Sequence, residues 1–76
     1  MEIFPGISMD ASVRFGKPCI AGTRVDVATV VGDIAAGETF EALEEDYQLT
    51  REQVIAALRY AAHLAAHTPP AVSEAS

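Results

Sequence analysis

Leu49-Thr50-Arg51-Glu52-Gln53-Val54 is the stretch on which the reading of this chain turns. Thr50 and Gln53 stand at the spacing of a capping box, in which each side chain satisfies the other residue's exposed backbone N–H. Leu49 and Val54 flank the box at the two positions of a hydrophobic staple. A helix is therefore predicted over about residues 51–66, ended by Thr68-Pro69-Pro70. Val54, Leu58, Ala61 and Ala65 read as its inward line. Ile55, Ala62 and Ala66 form a second apolar line, more than one face of a monomer can bury.

Working upstream, Thr39 can cap a short helix over about 40–47. Phe40, Leu43 and Tyr47 share one of its faces, and Glu41, Glu44, Glu45 and Asp46 make a solvated opposite face. Before it, Asp26 is placed as the N-cap of a helix over about 26–36. Val27, Val30, Val31, Ile34 and Ala35 recur there at helical spacing, and Gly37 serves as the stop. Gly32 inside this helix costs about 1 kcal/mol relative to alanine, which points to close backbone packing. Nearer the N-terminus, Ile7, Met9 and Val13 alternate with small polar residues between Pro5-Gly6 and Gly16-Lys17-Pro18. They predict one hairpin or two short strands around residues 7–9 and 19–20, with Pro18 at an edge or in a turn. The expected fold is mainly α: a trihelical helix-turn-helix core, homeodomain-like or winged-helix-like, behind a short N-terminal β arm or hairpin. A single domain is expected over residues 1–67, its arm taking up 1–25, with a flexible tail over 68–76.

The composition narrows the function classes. With 76 residues the chain forms one domain at most, and a domain of that size buries only roughly 60–65% of its unfolded surface. Half of the residues are hydrophobic, so a second copy or a permanent partner is expected to cover part of them. Ile7 and Met9 of the arm, with Ile55 and Ala62 of the third helix, are the candidate dimer contacts. Cys19 is the lone cysteine, which excludes a disulfide framework and suits a reducing cytoplasm. Five basic against eleven acidic residues give a net charge of −6, the reverse of the usual nucleic-acid-binding balance. The N-terminus lacks the charged start of a signal peptide, and no apolar run spans a bilayer, so a cytoplasmic protein away from membranes is expected.

Scarce positive charge is concentrated in Gly16-Lys17-Pro18-Cys19-Ile20-Ala21-Gly22-Thr23-Arg24, where two glycines and a proline frame Lys17 and Arg24. A stiff, turn-rich loop of this kind suits a binding surface. This stretch, continued by Val25, resembles the bacterial and archaeal family called domain of unknown function 433, an antitoxin-like group with VapB-type members. The resemblance extends through Ala35-Ala36-Gly37-Glu38, Glu44-Glu45-Asp46-Tyr47 and Leu49-Thr50 to Val54-Ile55-Ala56-Ala57-Leu58-Arg59-Tyr60-Ala61, and so covers roughly residues 3–64. Phe15 departs from it by standing where a glycine is often seen. The turn after Tyr47 also lacks the usual proline and is one residue short. The resemblance implies a commonly dimeric helical domain, encoded beside a toxin with a PIN-like ribonuclease fold that it neutralises, with binding to its own operator in some members. It implies no catalytic residues.

Set against that background, Lys17 and Arg24 are the candidate partner contacts. A guanidinium can pair bidentately with the clustered carboxylates that hold metal in a PIN-type nuclease. The alternative is an internal pair of Arg24 with Asp26 or a second-helix carboxylate, and a third is phosphate binding. The loop is no nucleotide site, because Lys17 precedes Pro18 instead of opening a helix after Gly. His63 and His67 have the i, i+4 spacing of metal ligands, but no third ligand accompanies them, and such residues also suit a helix C-terminus. Cys19 reads as a small packed hydrophobe without a base to activate it. For operator DNA, the start of the third helix offers Arg51 and Gln53, with Arg59 further along. Glu52 and the acidic second helix oppose phosphate, and Gln53 also serves in the capping box. No cofactor and no enzymatic activity are expected.

Overall fold

The computed structural model describes residues 1–67; the expected tail over 68–76 lies outside the described residues. Strand β1 (Glu2–Phe4), β2 (Ile7–Ser8) and β3 (Cys19–Ile20) form an antiparallel sheet in the order β1-β2-β3. Three helices follow, α1 (Val27–Ala35), α2 (Phe40–Tyr47) and α3 (Arg51–His67). The fold is mainly helical with a small N-terminal sheet, and the expected one hairpin becomes three strands because Glu2–Phe4 folds back onto Ile7–Ser8. Pro5-Gly6 makes that turn in the residue order a type II turn favours, with Gly6 at φ +81°. A Cβ on Gly6 would come within 3.0 Å of Ala56 on α3, so the turn sits directly on the long helix.

Two of the three helices start where a side chain satisfies an exposed N–H group. Thr39 accepts from the Ala42 N–H at 3.0 Å, capping α2. At α3 the box closes in both directions: the Thr50 N–H donates to Gln53 Oε1 at 2.8 Å, and the Gln53 N–H donates to Thr50 Oγ1 at 3.2 Å. Asp26 occupies the N-cap position of α1, but its side chain caps no backbone N–H. Only 5% exposed, it accepts instead from the Thr29 hydroxyl at 2.6 Å. Gly37 ends α1 at φ +101°, and Gln48 ends α2 in the left-handed region at φ 58°.

The core is built inside one chain. Ile7 and Ile20 from the sheet meet Val27 and Val30 of α1, Leu43 of α2, Leu49, and Val54, Ala57 and Tyr60 of α3. Ile7 is fully enclosed there, so it offers no surface to a second copy, and its expected place at a dimer contact is corrected. The inward line of α3 also differs from expectation. Val54, Ala57 and Tyr60 are buried, Leu58 and Ala61 are half-buried, and Ala65 is exposed. An alanine-rich helix presents apolar surface on several sides, and which side is buried depends on where α1 and the sheet cross it. Gly32 is the other correction: it is exposed, and a Cβ there would meet nothing within 4 Å. Tyr47 ties α2 to α1 by donating to Asp33 Oδ2 at 2.7 Å. Among the described residues no helix is long and apolar enough to cross a membrane.

A candidate partner-binding surface around Arg24

Arg24 stands on a loop whose backbone is fixed by its own hydrogen bonds. Thr23 Oγ1 donates to the Ile20 carbonyl at 2.8 Å and accepts from the Val25 N–H at 3.0 Å. The Ile20 N–H donates to Val25 O at 2.9 Å, and the Ala21 N–H reaches Gly6 O at 2.9 Å. Gly22, at φ +79°, supplies the left-handed step that the turn requires. The loop therefore holds Arg24 outward at a defined place, and the side chain is exposed.

No carboxylate holds it there. Among the described residues the ion pairs are those of Arg51 with Glu41 and Glu44, at 3.9 and 3.8 Å. The internal pairing that Asp26 or α2 offered to Arg24 is not formed; Asp26 is taken by Thr29. Arg24 lines three adjoining hollows. One, of about 330 Å³, includes Asp10, Val13 and Cys19. The other two are both shared with Arg14: one is flanked by Ser12 and Phe15, the other by Thr29 and Tyr47. Arg14 is thus a neighbour that the sequence reading did not pick out. Its signal was available, since Arg14, Lys17 and Arg24 fall within eleven residues that contain no acidic side chain.

Lys17 and Arg24 do not share a hollow. Lys17 and Pro18 border a separate groove of about 320 Å³ between α1 and α3, whose walls are Val27, Val31, Tyr60 and Leu64. Between the two lies Cys19, 3% exposed, with its thiol 3.4 Å from the Lys17 carbonyl. Burial pushes this thiol up, as does the Asp26 charge, while Arg14 and Arg24 pull the other way. A buried thiol with a raised pKa packs rather than attacks.

The backbone before Lys17 is the strained part of the molecule. Arg14, Phe15 and Gly16 form a single left-handed turn, at φ 51°, 58° and 82°. For a residue with a side chain the left-handed region costs about 1–2 kcal/mol. The turn is pinned from both ends. Val13 bridges to Asp10, and the Gly16 and Lys17 N–H groups bond to Val13 O and Arg14 O, each at 3.1 Å. Asp10 Oδ1 accepts from the Ser12 N–H at 2.9 Å and hydroxyl at 2.7 Å, contacts that hold its carboxyl below the ordinary range. Phe15 is left 95% exposed.

The remaining candidates lie elsewhere. On α3, Arg51 is engaged by its two glutamates and lies 4.7 Å above the Phe40 ring, and Gln53 is occupied by the capping box. Arg59 is exposed. Met9 and Ala62 are exposed and Ile55 is half-buried. The rings of His63 and His67 lie tilted at 38° with centroids 4.2 Å apart, and His63 also meets Phe4 at 5.1 Å. No group of three or more metal-binding side chains occurs among the described residues.

Comparison with known proteins places this surface in context. A family model described as Protein of unknown function (DUF433) matches residues 7–61. A Mycobacterium tuberculosis (strain ATCC 25618 / H37Rv) protein named "Putative antitoxin VapB45" is 38% identical over 52 residues, 68% of this chain and 22% of that protein. The crystal structure of Rv2018 from Mycobacterium tuberculosis aligns with a TM-score of 0.62 at 38% identity, over 68% of this chain and 24% of that one. The chain therefore spans about a quarter or less of each of these relatives.

Proposed function

From the premise that this chain belongs to the DUF433 family, we propose that it is a non-catalytic, antitoxin-like module that captures a PIN-like ribonuclease toxin. The likeness to a protein with an antitoxin name supplies the class. The observation that carries the reading on this chain is Arg24: exposed, fixed by its loop, and without an ion pair among the described residues. Such a guanidinium is available to a carboxylate cluster on a partner, where a bidentate pair would compete with a bound metal. Lys17, at the mouth of the α1–α3 groove, adds a second positive charge beside an apolar surface. A homodimer is the assembly proposed for the free protein, with Met9, Ile55 and Ala62 at its contact.

Operator binding is proposed as a property of the complex and not of the isolated chain. It would use α2 and α3 as a helix-turn-helix, with Arg51, Gln53 and Arg59 toward the DNA. Arg51 and Gln53 already have intramolecular partners, and the net charge of −6 opposes phosphate.

Co-expression with the product of the neighbouring reading frame, which this reading expects to be a PIN-like nuclease, tests it. A stable complex that stops RNA cleavage is expected, and failure of the two to associate would sink it. Arg24→Ala should weaken inhibition while leaving stability within about 0.5 kcal/mol of wild type, as exposed substitutions do. Tight, salt-sensitive duplex binding by the isolated protein would favour a transcriptional regulator instead.

A further inference from the structure

We propose that Phe15 is the anchor by which this chain grips an acidic protein partner. Its ring enters an apolar pocket there, while Arg14 and Arg24 meet carboxylates on the rim. The inference rests on the partner-capture reading for its setting and adds the anchor and the chemistry of the surface it fits.

Phe15 is the most exposed large hydrophobic residue among those described, at 95%, and the core is complete without it. The side chain is also presented on a backbone that glycine would adopt more readily, at φ 58°. Nothing within the fold compensates for either feature. Rigidity does the opposite of what solvent exposure alone would suggest. The turn is clamped by the Asp10–Val13 bridge and by the Gly16 and Lys17 hydrogen bonds, so the backbone that presents the ring is fixed before any partner arrives. Preorganised aromatic and arginine side chains are the residues that concentrate binding energy at interfaces.

The two arginines specify the partner's charge. Both line the hollow beside Phe15 and the hollow on the other side of Arg24, and neither forms an ion pair among the described residues. Residues 14–24 hold three of the chain's five cations and no carboxylate, within a protein of net charge −6. A nucleic acid would have to bring its continuous phosphate charge past that acidic body. A few carboxylates around an apolar pocket match a small cationic island with a central ring.

The test places the photocrosslinker p-benzoylphenylalanine at position 15 of the full chain and irradiates it in extract of the cells that make the protein. The crosslinked species is then produced pure, and its affinity for wild type, Phe15→Gly and Phe15→Tyr is measured. The expected crosslink falls on a folded protein, beside aspartates or glutamates around apolar residues. Phe15→Gly should weaken that complex by about thirty-fold or more, the loss typical of an interface hot spot. Phe15→Tyr should stay within about three-fold of wild type, because it keeps the ring. Phe15→Gly must also melt no lower than wild type, so that lost affinity is not lost folding. Crosslinking to nucleic acid, to lipid or to a second copy of this chain overturns the proposal. So does the lack of any light-dependent product, or equal affinity of Phe15→Gly and wild type. A Phe15-dependent partner that is not a nuclease keeps the anchor and sinks the toxin reading. A nuclease bound equally well by Phe15→Gly does the reverse.

Discussion

Two turns of this protein solve the same problem in opposite ways. At the α2–α3 junction, Gln48 takes one left-handed step and Thr50 with Gln53 then satisfies the next helix's exposed groups, while Leu49 and Val54 are buried beneath. Apart from Gln48, which stands where glycine is usual, the backbone demands there are met by side chains that local preference would choose. At Arg14–Gly16 the chain takes three left-handed steps in a row, two of them with long side chains, and buries neither Arg14 nor Phe15. The first turn gives stability. The second spends it, and strain of that kind collects where a surface has work to do. The difference separates a helical scaffold from the arm that it carries.

The largest expected effect lies on the scaffold side. Leu43→Ala, at a position 1% exposed, should cost about 2–5 kcal/mol by chemical denaturation. A much smaller loss would mean that α2 is loosely attached, and the contrast between scaffold and arm would fade. Thr50→Ala comes next: it removes the acceptor for the Gln53 N–H and should cost about 1 kcal/mol. Phe15→Gly should run in the other direction. Relief of about 1–2 kcal/mol of left-handed strain is offset by the roughly 0.5–1 kcal/mol of extra backbone entropy that glycine gives up on folding. The difference leaves a net change between about 0 and 1.5 kcal/mol in favour of the folded state. Destabilisation by this change would show that the ring braces the fold, and the two turns would no longer differ in kind.

The same comparison explains what could be read from the sequence. The capping box, the staple and the Thr39 cap were legible because each needs only neighbours three to five residues apart, and the DUF433 stretch carried its own signature. Strand β1 was not legible, because Glu2–Phe4 gains its partner only once Pro5-Gly6 has reversed the chain. The buried face of α3 was misjudged for a related reason. Ala57 and Tyr60 face inward because α1 and the sheet lie on that side, which alanine-rich periodicity does not encode. Glycines and a proline announced the loop holding Lys17 and Arg24, and the family glycine that Phe15 replaces hinted at a left-handed step there, but nothing local revealed that Arg14 would take one too. The acid-free run over residues 14–24 marked Arg14 as a candidate, but its place beside Arg24 and the exposure of the Phe15 ring emerged from the fold.

The smallest effect concerns the Tyr47–Asp33 hydrogen bond from α2 to α1 and is visible only in alkali. The hydrogen bond to Asp33 pushes the Tyr47 phenol above its ordinary value of 10.0, assisted by burial and by the charges of Asp33, Asp46 and Glu38. A group with a raised folded pKa stabilises the fold fully below its unfolded pKa. That contribution is lost as pH rises through the folded value, because the unfolded chain releases the proton first. Denaturant midpoints measured from pH 7 to about pH 11 should thus fall above pH 10 in wild type, and fall less in Tyr47→Phe, which has no phenolic proton to release. Parallel curves would mean that the Tyr47–Asp33 bond is not maintained in solution. The α1–α2 contact would then rest on packing alone, and the scaffold would lose one of the polar contacts that set it apart from the strained arm.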